Sequence, residues 1–458
     1  MFILRISSVY IKRLYHSRQS KATMQLPEAF EKSIRPLIGE DRWKKYIAAF
    51  DQQTPTSIRL NPWKAKEKTL GSMLEGAEQV PWCKGAYYLK QRPDFTMDPL
   101  LHAGAYYVQE ASSLFLAHVI ANLYGIDGKA LPVGTLPLPT TALDLCAAPG
   151  GKSTLLRAML PESTYLYANE PDRKRANILM ENLQKQGHDK VTVTNNFPSA
   201  YAASGLTFDL VLTDVPCSGE GMFRKDPDTI GEWSTENVGK CAELQRSIID
   251  DIWRCLNPGG VLIYSTCTFN IHEDEDNIEW IVKTKHAEPI DIPIEPEWNI
   301  TGSLSQTFKG PVFRFIPGIT RGEGIFMAVL RKPVGEQSPS STVSDVPSHK
   351  DKRNGKRQNL LRVLSDSTPV PTMKGKTEIP SQQEALMITT PKDKYPRAEV
   401  DRQTALRYLH HEAVVLAPDT PKGIVLVTYQ GLPLGFAKNI GNRANNLYPQ
   451  EWKIRKDV

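Results

Sequence analysis

The chain has 458 residues, 40% hydrophobic and 23% charged. This is the balance of an ordinary globular protein of about three domains, and it excludes collagen-like, disulfide-scaffold and wholly disordered readings. The net charge is +5, but residues 1–23 alone carry Arg5, Lys12, Arg13, Arg18 and Lys21 with no acid. The remaining chain is therefore neutral overall, and any nucleic-acid surface has to come from local clustering. No apolar run approaches the roughly 18 residues of a membrane-spanning helix, so no membrane partner is expected. The six cysteines are Cys83, Cys146, Cys217, Cys241, Cys255 and Cys267, and no two form a CxxC pair. That spacing argues against structural zinc and for a reducing compartment.

In chain order, residues 1–23 read as a dispensable extension ahead of Met24, which implies a cytoplasmic protein. Their basic, acid-free, serine-containing composition also fits an organellar transit peptide, and then the location is mitochondrial. Between Pro27 and Phe50 the apolar residues recur at helical spacing and are punctuated by Pro36 and Gly39, which predicts two helices. TPTSIRLNP (54–62) reads as a strand entering a turn, and residues 24–130 as an N-terminal α+β region that binds RNA. This region includes a helix from Ala111 to Tyr124 and runs into a Gly/Pro-rich connector.

From residue 131 to 332 strands and helices alternate. TALDLCA, TYLYANE, KVTVTNN, FDLVLTDVP and VLIYSTC read as strands. GGKSTLLRAML, PDRKRANILMENLQKQG and VGKCAELQRSIIDDIWRCLNPGG read as helices. Such a beat predicts an α/β domain with a mostly parallel sheet covered on both faces. VFRFIP and GIFMAVLRK are expected to close it as an antiparallel pair. Residues 333–394 contain no Phe or Trp and no Tyr, and are rich in Pro, Ser and Lys, so a disordered linker is expected there. GIVLVTYQGLPLGFAK then reads as a hairpin in a small β-rich domain over 395–458. Its basic residues, Lys438 and Arg443, are candidate RNA contacts, and its aromatics are needed for its core.

LDLCAAPGGKS (143–153) lies at a strand end and opens a helix, where doubly wound sheets bind nucleotides. It is neither a dinucleotide fingerprint nor a phosphate loop. Glu170 ends the next strand, placed to accept hydrogen bonds from two ribose hydroxyls. Two further strands end in DVPCSGEGMF and STCTFN, which puts Cys217 and Cys267 on the same rim. Cys241 and Cys255 instead share helical spacing with Leu244, Ile248 and Ile252 and read as core. A thiol, a carboxylate (Asp214) and a nucleoside site together suit methylation at C5 of a pyrimidine. Thiolate addition to C6 makes C5 nucleophilic, a carboxylate holds the base's N3/N4 edge, and a second thiol can assist release. The acids of HEDED (272–276) read as a helix start, and no metal is expected. Arg224 and Lys225 are candidate phosphate contacts on a loop.

These residues carry a resemblance. DLCAAPGGK, NE at 169–170, DVPCSGEGMFRKDP and YSTCTFN closely resemble the NOL1/NOP2/Sun family of RNA cytosine-C5 methyltransferases over residues 25–332. The tail GLPLGFAKNIGNRANNLYPQEWKI resembles the PUA-like domain of its bacterial small-subunit ribosomal RNA (F-type) branch. The resemblance implies a class I, Rossmann-like methyltransferase domain, S-adenosylmethionine as cofactor, and a monomer acting on ribosomal RNA or a pre-ribosomal particle, with transfer RNA the alternative. It implies cofactor contacts from Cys146, Ala147, Ala148, Pro149, Gly150, Gly151, Lys152, Glu170 and Asp214. It further implies that Cys267 is the nucleophile, Cys217 promotes release and Asp214 borders the target base. Where relatives often carry an acid after the third strand, this chain has Asn196, expected to meet the adenine amine or ring nitrogen. The rival reading is a non-catalytic ribosome-assembly factor, against which Cys217, Cys267, Asp214 and Glu170 all speak.

Overall fold

Runs of Val, Leu, Ile and Tyr between Thr141 and Arg331 build one sheet, because residues buried on both faces need no polar alternation. The computed structural model describes residues 26–126, 136–335, 360–375 and 377–456. The extension 1–23 and most of the 125–139 connector lie outside them. The chain falls into two units. The first holds residues up to Pro55, Glu110–Leu179 and Thr192–Leu364, and the second holds Thr56–Gln109, Met180–Val191 and Ser365 onward.

The first unit is built on the nine-stranded sheet. Its order is Glu288–Pro289, Ile325–Arg331, Leu256–Thr266, Phe208–Asp214, Thr141–Asp144, Tyr165–Asn169, Val191–Thr194 and Val363–Ser365, with Phe313–Phe315 paired to Ile325–Arg331. Thr141–Asp144 runs parallel to both its neighbours, and Ile325–Arg331 closes antiparallel against Leu256–Thr266. The strand order reverses beside Thr141–Asp144, and this opens a crevice at the carboxyl ends where ligands bind in such sheets. The alternating pattern thus yields the expected α/β architecture. A helix at Pro198–Ser204, between Pro at its start and a left-handed Gly205 after its end, was not foreseen. At 7 residues it is too short to show a helical period.

Two helices, Glu28–Ile38 and Glu40–Ala49, also belong to this unit. Phe30 is fully buried and lies 5.2 Å from Phe223 and 5.4 Å, edge-on, from Trp233. Trp43, Tyr46 and Phe269 complete this cluster. The first helices therefore back the two segments that follow the Pro-Cys and Ser-Thr-Cys motifs, and each aromatic pair adds about 1 kcal/mol beyond its buried area.

The second unit combines two sheets. One is antiparallel, in the order Glu78–Gln79, Ala86–Tyr88, Ser57–Leu60 and Tyr106–Val108. The other runs Arg397–Glu399, Gly423–Tyr429, Leu432–Asn439 and Ala444–Asn446. Tyr429 and Leu432 pack into the core of the first sheet, and Ala103 into that of the second. Residues 26–126 divide between the two units.

The linker expectation needs correcting over its described part. Thr372–Lys374 and Thr377–Ile379 pair as a hairpin, and Gln382–Leu386 is a helix whose Ala385 and Leu386 are buried in the C-terminal core. The helix is pinned by Gln382 Nε2 donating to the Leu434 carbonyl at 2.7 Å. A segment without aromatics cannot build its own core, but Ala385 and Leu386 join a neighbouring one. Phe436, Tyr448 and Trp452 are likewise core residues, while Arg443 is exposed. Among the described residues no helix is long and apolar enough to cross a membrane.

Candidate active site

The Thr141–Asp144 strand delivers the loop Leu145–Gly150 to the crevice. Ala148–Pro149 is a cis peptide, and Gly150, at φ 115°, opens the helix Gly151–Met159. A side chain at Gly150 would be strained in that conformation. Asp144 ends the strand fully buried, with Oδ2 accepting the Ser153 hydroxyl at 2.6 Å and Oδ1 left without a partner. Burial pushes its carboxyl up to about 7. Cys146 turns its thiol inward, where burial and then Glu170 push it well above the ordinary thiol range.

Glu170 ends the adjacent strand and is also buried. Its Oε1 accepts the Asp172 N–H at 2.9 Å, and its Oε2 lies 3.4 Å from Arg175. Burial raises its carboxyl despite Arg175. Asn169 cross-braces the neighbourhood, donating to the carbonyls of Leu145 (3.0 Å) and Asn196 (2.9 Å). Asn196 itself is differently engaged from the sequence expectation. Its amide oxygen accepts the Arg362 N–H at 2.9 Å and its amide nitrogen donates to the Arg362 carbonyl at 3.3 Å.

On the other side of the crevice Asp214 ends its strand. Oδ2 is 2.8 Å from Lys152 Nζ, and Oδ1 accepts the Ser265 hydroxyl at 2.7 Å. Burial opposes the charge on Lys152, yet the contact with Asp214 holds it above the ordinary lysine range. Cys217 and Cys267 come together with their sulfurs 3.0 Å apart, and the Cys267 N–H donates to the Cys217 sulfur at 3.3 Å. The hydrogen bond to Cys267 and then burial push the Cys217 thiol well up. Cys255 lies in the core and Cys241 is half-buried on its helix.

Two acids hold the thiol loops in place: Glu220, which the sequence does not single out, and Glu273, which it marks only as part of a helix start. Glu220 Oε2 accepts the N–H groups of Phe269 (2.7 Å) and Asn270 (3.1 Å), while Oε1 accepts Trp233 Nε1 and Asn270 Nδ2, each at 3.0 Å. Glu273 accepts the Ser218 N–H at 3.0 Å, Gln245 Nε2 at 2.8 Å and Asn270 Nδ2 at 2.9 Å. Burial raises the Glu273 carboxyl to about 6. The Asn270-x-x-Glu273 spacing was the available signal, since Asn270 Oδ1 accepts the Glu273 N–H as a cap would. HEDED does hold a helix start, at Glu275 with Asp276 in the first turn, but three of its acids are buried rather than solvated. Asp274 and Glu275 are buried against Arg314, which grips Glu275 through both terminal nitrogens at 2.9 and 2.6 Å.

The same loops leave no room for side chains where they meet the chain before Ile325. A Cβ on Gly324 would lie 2.2 Å from the Phe269 ring and 2.6 Å from the Gly221 Cα. Arg224 is not a solvated phosphate contact. Its side chain is only 6% exposed and faces Glu323 at 3.4 Å, leaving Lys225 as the exposed cation of that loop.

The crevice thus combines a glycine-opened loop flanked by buried acids, a lysine–aspartate pair and two touching thiols. Asp144, Glu170 and Asp214 stand at three of its strand ends, with Lys152 against Asp214 and Arg175 against Glu170. Comparison with known proteins gives the family. Residues 138–331 match the family of 16S rRNA methyltransferase RsmB/F. Residues 26–111 match the N-terminal domain of 16S rRNA methyltransferase RsmF, and 395–454 match the methyltransferase RsmF PUA domain. A ribosomal RNA small subunit methyltransferase F from Serratia proteamaculans is 29% identical over 94% of this chain and 97% of its own. One from Escherichia coli is 28% identical over the same shares. A solved methyltransferase homologue from Pyrococcus horikoshii shares the fold at TM-score 0.55, 25% identity, 68% of this chain and 96% of its own. NSun6 from the same organism does so at TM-score 0.55, 18% identity, 68% of this chain and 99% of its own. Matched from its N-terminal helices through the catalytic sheet to the C-terminal domain, the chain belongs to the RsmB/F family of 16S rRNA methyltransferases, with the N-terminal and PUA domains of the F branch.

Proposed function

We propose that the protein methylates C5 of a cytosine in small-subunit ribosomal RNA through a covalent bond between Cys267 and C6 of the base. The observation that carries this reading is the 3.0 Å contact of two thiols beside the Lys152–Asp214 pair. The cofactor is S-adenosylmethionine, and the residues fit it. The unpartnered Asp144 Oδ1 and the excess of acids suit its cationic end, and Glu170 suits the ribose diol. Bound there, it supplies an electrophilic methyl group.

The protein's own groups do the rest. Cys267 adds to C6, forming the S–C6 bond while the C5–C6 π electrons move to C5. Asp214, fixed by Lys152 and Ser265, holds the base's amine edge as charge builds. C5 then takes the methyl group, the proton on C5 leaves to a base, and the S–C6 bond breaks to restore the double bond. Cys217 keeps its proton, so it is a poor resting nucleophile, and it can pass that proton to the Cys267 sulfur across their 3.0 Å contact as the S–C6 bond breaks. The target cytosine has to leave its stack, because C6 must be open to attack.

Glu170→Gln is expected to weaken S-adenosylhomocysteine binding, because a charged acceptor of two hydroxyls becomes a neutral one. Charged hydrogen bonds contribute about 1.5–3 kcal/mol, so Kd should rise roughly ten- to a hundredfold by calorimetry. Unchanged affinity would remove Glu170 from the ribose site. The reaction itself is tested by bisulfite sequencing of ribosomal RNA after incubation of unmodified small subunits with the enzyme. A single new protected cytosine is expected, and methyl transfer to another base would overturn the reading.

A further inference from the structure

The reading above places the methyl-transfer end of the cofactor at the Phe208–Asp214 strand and its ribose at the end of Tyr165–Asn169. Continuing across the sheet in the same direction, the adenine reaches the end of Val191–Thr194. The residues there are Asn195, Asn196 and Phe197. Asn195 is tied to the ribose side, its Nδ2 donating to the carbonyls of Glu170 and Pro171, each at 2.8 Å. Phe197 is 56% exposed. Both ends of the Asn196 amide are spent on the main chain of Arg362, and the Asn195 N–H donates to the same Arg362 carbonyl at 2.9 Å.

Arg362 lies beyond the catalytic sheet's closing strand, in a segment the sequence marks as linker. Yet Leu361 is buried in the catalytic core, and Val363–Ser365 extends the sheet next to Val191–Thr194. We propose that Leu360–Ser365 is a strap forming the outer wall of the adenine end of the cofactor site, and that Asn196 anchors this strap rather than reading adenine. The departure at 196 then has a physical cause. A carboxylate there cannot donate to the Arg362 carbonyl. It would set an acidic oxygen against that oxygen at the 3.3 Å where the amide nitrogen now bonds. An asparagine offers the strap one donor and one acceptor in register with the two groups Arg362 presents.

The proposal rests on the cofactor reading, so the experiment separates the two. Binding of S-adenosylhomocysteine to the full chain is measured by calorimetry, and hydrogen exchange is followed in a peptide spanning 360–365. Saturation with the product cofactor should slow that peptide's exchange. Asn196→Asp should speed its exchange in the free protein and raise Kd about fivefold, the worth of one neutral hydrogen bond. Leu361→Ser, which loosens the strap from its seat in the core, should do likewise. If Asn196 instead reads adenine, Asn196→Asp will bind as tightly or tighter, and Leu361→Ser will bind normally. That result, or unchanged exchange on saturation, overturns the strap alone. No binding by the wild-type chain would overturn the cofactor reading and the strap with it.

Discussion

Cys267→Ala is expected to lower methyl transfer by roughly 10⁴-fold or more, because the S–C6 bond that makes C5 nucleophilic is lost. S-adenosylhomocysteine binding should stay near normal, since the thiol lies toward the base and not in the Leu145–Gly150 loop. Cys217→Ala should fail differently. Cys267 can still add to C6, but the step that breaks the bond loses its proton carrier. A covalent protein–RNA complex should therefore accumulate and survive denaturing electrophoresis. The double variant should behave as Cys267→Ala alone, because an adduct that never forms cannot be trapped. The asymmetry follows from the pair's geometry: the Cys217–Cys267 contact and burial hold the Cys217 thiol protonated, outweighing the Cys267 N–H, which by itself favours the thiolate. Turnover retained in Cys267→Ala and lost in Cys217→Ala would reverse the roles. Absence of adduct in all three variants, with RNA binding intact, would sink the two-thiol mechanism.

The strand–helix beat between residues 141 and 331 was legible because strands buried on both faces and amphipathic helices leave different local signatures. What was not legible depended on partners distant in sequence. Nothing within residues 24–130 indicates that Phe30 packs on Trp233 while Ile58 belongs to a different unit. The segment 360–394 was misread for the same reason. Composition reports whether a stretch can form its own core, and Leu361 and Leu386 each join a core made by other residues.

The site divides similarly. Cys217, Cys267, Asp214 and Glu170 stand at strand ends, so topology alone brings them to one rim. Their supports were hidden, because an acid that holds a loop looks in sequence like an acid in a loop. Glu220 follows Gly219 in a polar turn, and HEDED resembles an exposed helix start, yet Glu220, Glu273, Asp274 and Glu275 are all buried. Arg224 was misjudged in the opposite sense. A basic residue after a catalytic motif suggests phosphate, and here its charge is turned to Glu323.

Glu220 gives the sharpest test of how the two thiols are kept in contact. Its carboxylate joins the Pro-Cys loop, the segment after Cys267 and the Trp233 indole through four accepted hydrogen bonds, and it is 1% exposed. Glu220→Gln preserves shape but turns one acceptor into a donor. Oε1 and Oε2 each receive two N–H groups, so whichever end becomes the amide nitrogen faces two donors with nothing to offer them. A buried polar group left unsatisfied costs about 1–3 kcal/mol. Two such conflicts should therefore lower unfolding free energy by roughly 2–5 kcal/mol, a large share of a domain's marginal stability. The activity loss should exceed what reduced folding explains. Displacing a reacting group by about 1 Å costs on the order of a hundredfold, and the loops released here are the two that carry the thiols. Urea unfolding, methyl transfer per folded molecule and S-adenosylhomocysteine affinity separate the effects. The first two should fall, while the third stays near wild type, because none of the four bonds reaches the cofactor loop. A variant with wild-type stability and turnover would show that the thiol contact is maintained without this carboxylate.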